Sequence, residues 1–258
     1  MFRAATKPSL RGLQRTHAVR CLRNFVPSRW VLLLDRVDMA FPLVLHGHGR
    51  HTTMSVVGTL HNKLAFNRRV RVLSEQFARL VPRGASVLDV GCGDGLISTL
   101  LQSHRPDVRV CGVDVLVRKH THIPIQMFDG HHLPFGDSAF DVVLLSDVLH
   151  HTVDPNVLQR ETRRVAREYV LVKDHFRKGL AAGVRLRFMD WVGNARFGVA
   201  LPYNYWTEQQ WGKVWEDIGL QPQKVVTRLR LYPTPADWIF GAQLHFIALL
   251  KKCDPARA

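Results

Sequence analysis

The stretch Val87-Leu88-Asp89-Val90-Gly91-Cys92-Gly93-Asp94-Gly95 decides the fold. An apolar run enters three glycines in five residues, and a helical pattern starts at once. This reads as a strand, a tight turn and a helix, a unit that lets a ligand approach bare backbone at a helix N-terminus. Val110-Cys111-Gly112-Val113-Asp114 reads as a second strand ending in an acid, 21 residues after Gly93. That spacing suits a carboxylate that takes both hydroxyls of a ribose. The two segments together predict an adenosine-containing cofactor without saying which.

The dinucleotide fingerprint requires a third glycine where Leu96 stands. The stretch instead resembles motif I of the class I S-adenosylmethionine (SAM) dependent methyltransferases. Phe128-Asp129-Gly130-His131-His132-Leu133-Pro134-Phe135 resembles the adenine-binding segment of that family. The run from Phe140 through Ser146-Asp147-Val148-Leu149-His150-His151 resembles its fourth strand and the turn beyond. The whole is similar to the small-molecule branch called methyltransferase type 11, over about residues 84–175.

The resemblance implies an α/β fold. The sheet would be Rossmann-like, doubly wound, seven-stranded and mostly parallel, with an antiparallel last strand and helices on both faces. It implies SAM as cofactor and in-line methyl transfer, which needs neither a metal nor a covalent residue. It also implies cofactor roles. Gly91, Cys92 and Gly93 would lay backbone against the methionine part and the sugar, with Asp89 fixing the ammonium. Asp114 would take the ribose, Val115 would flank the adenine, Asp129 and Gly130 would read the adenine edge, and the Ser146 carbonyl would meet the amine. For Asp89 the bland alternative is a buried carboxylate capping the loop; for Asp129 and Gly130 it is a loop turn.

The acceptor side is carried by less. His150 and His151 follow the fourth strand, and Asp174-His175 ends the fifth; either pair could hold a general base, and either could simply pack. Neighbours on a strand point opposite ways, so Asp174 and His175 cannot both face one site unless the strand has ended. Tyr203, Tyr205 and Trp206 could close over an apolar or aromatic acceptor or merely fill space. Ser146-Asp147-Val148-Leu149 replaces the Asn/Asp-Pro-Pro-Tyr of enzymes that methylate exocyclic amines and glutamine amides. No Pro-Cys pair stands there for attack on a pyrimidine.

Composition bounds the remainder. The chain has 258 residues, 46% of them hydrophobic, enough for one domain with additions or at most two. No apolar run approaches the roughly 18 residues of a membrane span. Four scattered cysteines without a C-x-x-C argue against a zinc site or disulfide framework and fit a reducing, cytosol-like compartment. The net charge of +15 raises nucleic acid or an anionic membrane as partners. However, residues 1–53 carry +7 of it, nine Lys/Arg against two acids, and the rest is spread thinly. The expected partner is a small-molecule acceptor, with nucleic acid disfavoured and a peripheral membrane contact left open.

Residues 1–53 form a basic extension. It can be read as a disordered tail, as a mitochondrial presequence, or as an over-long start before Met54. His46-Gly47-His48-Gly49-Arg50-His51 lacks a matching second cluster and reads as an incidental loop. Residues 54–258 are expected to form the methyltransferase domain that the resemblance implies. Helices are expected at Leu60–Leu80, Gly95–Ser103, Asp154–Arg167 and Thr207–Ile218. Strands are expected at Ala85–Val90, Val108–Val113, Ile123–Phe128, Asp141–Leu145, Tyr169–Lys173, Val225–Leu231 and Gln243–Leu250. A lid-like insertion is expected at about 175–206. Three alternatives remain: an RNA or protein methyltransferase, a NAD(P)-dependent oxidoreductase, and a non-catalytic SAM-fold binding protein.

Overall fold

Apolar runs flanked by glycine turns, alternating with amphipathic helices, can bury both faces of each strand only in a parallel sheet covered on two sides. The computed structural model describes residues 56–179, 181–194, 203–241 and 243–253 and has this arrangement. Helix α1 (Val56–Leu80) leads into strand β1 (Ser86–Val90), helix α2 (Leu96–His104), and strands β2 (Arg109–Asp114), β3 (Ile125–Met127) and β4 (Phe140–Ser146). A 3-10 turn (Leu149–His151), helix α3 (Pro155–Val165) and strand β5 (Ala166–His175) follow. Helices α4 (Ala182–Asn194) and α5 (Glu208–Asp217), strand β6 (Leu220–Val226), a π-turn (Asp237–Gly241) and strand β7 (His245–Lys252) complete the order.

The sheet order is β3-β2-β1-β4-β5-β7-β6. All neighbours are parallel except β7, which runs antiparallel to both β5 and β6. Alternate residues of each strand feed two cores. Leu88, Val90, Val143, Leu145, Val170 and Val172 meet α3 and α5 through Leu158, Trp211 and Trp215. Val87, Val110, Val142, Leu144 and Leu171 meet α1 and α2 through Leu73, Phe77 and Leu101. Each such side chain removed from water contributes about 1.5–3 kcal/mol. Local signals agree with the packing: Asp154 caps α3 by accepting from Asn156 N at 2.9 Å, and Thr207 with Gln210 forms a capping box on α5.

Strand order reverses between β1 and β4, so the crevice of a doubly wound sheet opens beyond their C-terminal ends. One sequence expectation is corrected. The sixth strand lies at Leu220–Val226, earlier than Val225–Leu231. Leu229 and Leu231 are apolar because they bury against α1 from a loop, while the real edge strand is polar and bulged near Pro222. The segment expected as an insertion contains helix α4. The first 53 residues, including the histidine-rich run, lie outside the described residues.

Candidate functional site

The glycine loop is held from below by β2: Gly91 N donates to Val113 O at 2.8 Å and Cys92 N to the same carbonyl at 3.3 Å. Gly91 has φ +70°, and a β-carbon there would stand 2.6 Å from Val148 Cγ2. Only glycine fits, and the loop is thereby pressed against the turn that carries His150 and His151. Gly93 N donates to Asp114 Oδ2 at 2.8 Å and Leu116 N to Asp114 Oδ1 at 3.0 Å. Each oxygen keeps a lone pair for a hydroxyl.

Asp89 is buried; its Oδ2 accepts from Ser98 Oγ at 2.6 Å, and its Oδ1 has no hydrogen-bond partner. Burial pushes this carboxyl up to about 7, against the Ser98 bond that favours the charged form. Burial, then Asp89 itself, also pushes the Cys92 thiol up. An orphaned buried oxygen beside an open glycine loop fits a ligand ammonium, so these residues suit SAM. Asp129 is exposed, and its Oδ1 accepts from His132 N at 2.6 Å and His131 N at 2.7 Å. Those two bonds lower its pKa. A β-carbon on Gly130 would lie 3.3 Å from Val115 Cγ1, while Val115 and Leu116 stand exposed beside it. Val115 and Gly130 thus lie close together at the crevice edge. Ser146 ends β4, with its buried hydroxyl oxygen lacking a partner.

Beyond β4 and β5 lies a buried polar cluster. His150 Nδ1 is 2.7 Å from Asp174 Oδ1, and both residues are 1% exposed. His175 Nδ1 is 3.2 Å from the same oxygen. Asp174 and His175 therefore do share one site, contrary to the strand-alternation expectation. The carboxylate curls back to accept its neighbour's own backbone N–H at 2.8 Å. The His151 ring lies 4.1 Å from that of His150, and the Tyr205 ring stacks on His150 at 5.6 Å.

Five partners escaped the sequence reading. Asp147, in the left-handed region at φ +58°, bonds Arg69 through one oxygen and Lys173 through the other. Arg69 NH1 donates to Tyr232 Oη at 3.3 Å. His245, first residue of β7, has Nδ1 3.4 Å from Lys173 Nζ and Nε2 3.0 Å from Phe240 O. Only Lys173 carried a signal, a charge closing the apolar run Val170-Leu171-Val172.

Burial opposes the charge of Asp147, but Arg69 and Lys173 overcome it and hold the carboxyl well below the usual range. Burial and Arg69 pull Lys173 down to about 8, against the raising effect of Asp147. Burial and then Lys173 pull His175 down to about 4, so it is neutral at pH 7. Asp174 is held low by His150 and His175 despite its burial. Ligand-type atoms of Asp147, His150, Asp174 and His175 lie within 4.8 Å of one another. Two carboxylates there are already balanced by one guanidinium and one ammonium.

A methyltransferase domain model matches residues 64–225, more than half of the chain. The chain belongs to this family, whose members depend on SAM, and not among NAD(P)-dependent oxidoreductases. It is 30% identical over 102 residues to the release factor glutamine methyltransferase of Geobacter sulfurreducens, covering 36% of each chain. It is 31% identical over 100 residues to the tRNA (carboxymethyluridine(34)-5-O)-methyltransferase of Schizosaccharomyces pombe, covering 37% of this chain and 42% of that one. The match thus spans well under half the length of these curated relatives. Among solved structures, a SAM-dependent methyltransferase of Thermotoga maritima, described as a possible histamine N-methyltransferase, superposes with TM-score 0.56 at 16% identity. It covers 76% of this chain and 96% of that one. The magnesium protoporphyrin IX methyltransferase of Synechocystis, crystallised with bound S-adenosylhomocysteine, gives TM-score 0.51 at 17% identity over 80% of this chain and 90% of that one. These structural likenesses establish the fold.

Proposed function

We propose that this chain methylates a small apolar or aromatic acceptor that carries a dissociable proton, with His150 as the general base. The cofactor would supply an electrophilic methyl on a good leaving group, and the protein must align the acceptor, exclude water and remove a proton. Asp89, Gly91, Cys92, Gly93, Asp114, Val115, Asp129, Gly130 and Ser146 would hold SAM. The observation that carries the reading is the 2.7 Å contact between His150 Nδ1 and Asp174 Oδ1. With Nδ1–H donated to the carboxylate, the basic nitrogen is Nε2, and Asp174 orients the ring and steadies its protonated form. The neutral His175, on the same oxygen, is the second candidate for this role, and His151 packs against the pair. Gly91 against Val148 sets the cofactor loop directly beside this turn. Tyr205 seals His150, so the segment from 175 to 206 would act as a lid that shifts to admit the acceptor.

The test uses SAM labelled in its methyl group, incubated with the chain and a cell extract, followed by separation of small molecules, RNA and protein. Label in the organic-extractable small-molecule fraction, lost in His150→Gln, is the expected result. Label in RNA or protein would overturn the acceptor class, and equal labelling by His150→Gln would overturn the base.

A further inference from the structure

Helix α4 is apolar on two sides. Ala182 and Leu186 point inward, in one buried cluster with Tyr205 and Leu244, and Met189 packs against it. Val184 and Phe188, one turn apart, point outward and are 71% and 52% exposed. The π-turn beside it exposes Trp238 at 73% and Ile239 at 53%. The two elements form one surface, because Arg185 NH1 donates to Ile239 O at 3.1 Å and the rings of Phe188 and Phe240 stack at 6.3 Å. An apolar face of this kind in water calls for an occupant.

Its frame is basic. Residues 177–190 contain Arg177, Lys178, Arg185 and Arg187 against the single acid Asp190; Lys178 also pairs with Glu208 at 3.4 Å, and Arg187 lies over the Tyr203 ring. Asp237, the acid of the π-turn, is turned inward, its Oδ1 accepting from Tyr232 N at 3.1 Å. We propose that α4 and the Asp237–Gly241 turn dock this chain on an anionic bilayer. Val184, Phe188, Trp238 and Ile239 enter the headgroup boundary, and the flanking Arg and Lys meet lipid phosphates. Bare aliphatic side chains beside the aromatics favour lipid over RNA, for which stacking rings and phosphate-binding cations would suffice. No described helix is long and apolar enough to cross a membrane, and the contact proposed is one of this surface alone.

The surface adjoins the reaction end of the sheet. Helix α4 follows the end of β5, and the π-turn precedes His245 of β7, which pairs with His175. Tyr205 Oη donates to Leu186 O of α4 at 3.2 Å while its ring stacks on His150. Docking would set the Tyr205–His150 contact close to lipid, and any bearing of this on the acceptor rests on the methyl-transfer reading; the docking itself does not.

The experiment is vesicle flotation of the full chain with phosphatidylcholine alone and with added phosphatidylglycerol, for wild type, Phe188→Ser/Trp238→Ser and Val184→Asn/Ile239→Asn. Salt-sensitive capture on anionic vesicles, reduced about tenfold or more in either double variant, is expected. Each variant is checked for folding by far-UV circular dichroism, and SAM titration runs alongside. Absence of capture, or capture unchanged in both folded variants, overturns the proposal. So does loss in the variants of self-association or of RNA binding while vesicle capture persists. A chain that floats but does not bind SAM would sink the methyltransferase reading and leave the docking surface standing.

Discussion

The side chains of His150 and Asp174 meet at 2.7 Å across the ends of two parallel neighbours, β4 and β5, with both residues sealed from water. Carboxylate and imidazole therefore have no competing solvent, and the ring orientation is fixed before any acceptor arrives. Asp174→Asn should keep SAM affinity and lower kcat by about 10²–10⁴-fold, with His150→Gln at least as severe. Single-turnover rates beside calorimetric SAM titration check this, and an undiminished rate in Asp174→Asn would refute it.

Asp114 already accepts from two backbone N–H groups, one on each oxygen, and in the proposed site its remaining lone pairs would take the ribose hydroxyls. Asp114→Ala should weaken SAM binding by about 2 kcal/mol or more, roughly thirtyfold, as expected when a charged acceptor is lost. NADH should show no heat with either protein.

Asp89 yields a pH prediction. Its folded value, about 7, lies above its ordinary 3.8, so the folded state holds a proton that the unfolded chain releases. Stability from this group therefore falls as pH rises through that window, and Asp89→Asn should flatten the slope. A ligand ammonium beside Oδ1 would draw the carboxyl back toward ionisation. SAM binding near pH 7 should then release up to about half a proton, seen as binding heat that changes with the buffer's ionisation enthalpy. Heat independent of buffer would count against an Asp89–ammonium contact.

Asp147 stands between Arg69 and Lys173. Asp147→Asn leaves the buried Lys173 ammonium and the partly exposed Arg69 guanidinium without their shared carboxylate and should cost about 3 kcal/mol. Lys173→Met leaves Asp147 with Arg69 and should cost less. Denaturant midpoints decide the order; the reverse order would mean that the lysine, not the carboxylate, organises the cluster.

Gly91→Ala should lose about 1–2 kcal/mol from its left-handed backbone, with a further loss where its methyl meets Val148. Adding Val148→Ala should recover the steric part alone. Full additivity of the two substitutions in thermal unfolding would disprove that contact.

The sheet was legible because each buried strand is a short apolar run and each turn is marked by glycine or an acid. The glycine loop was legible for the same reason: the positive φ of Gly91 and Gly93 and the bond from Gly93 N to Asp114 depend on backbone geometry and one carboxylate at fixed distances along the chain. The edge was not. Leu229 and Leu231 are as apolar as a strand, yet they pack from a loop, while the true β6 is polar because an edge faces water. Half of the acid–histidine cluster was legible, since His150, Asp174 and His175 lie at strand ends. Arg69 and His245 were not, because they arrive from α1 and β7, far away in sequence, and only tertiary packing places them. The curl of Asp174 onto its own neighbour is likewise a local departure that no two-residue periodicity contains.

The reversed direction of β7 gives the molecule two unlike poles. It begins at His245 beside the acid–histidine cluster and runs to Lys252 near the opening residues of β5, so Cys253 lies at the pole remote from that cluster. A fluorophore on the exposed Cys253 thiol would stand clear of both the proposed nucleoside site and the surface formed by α4.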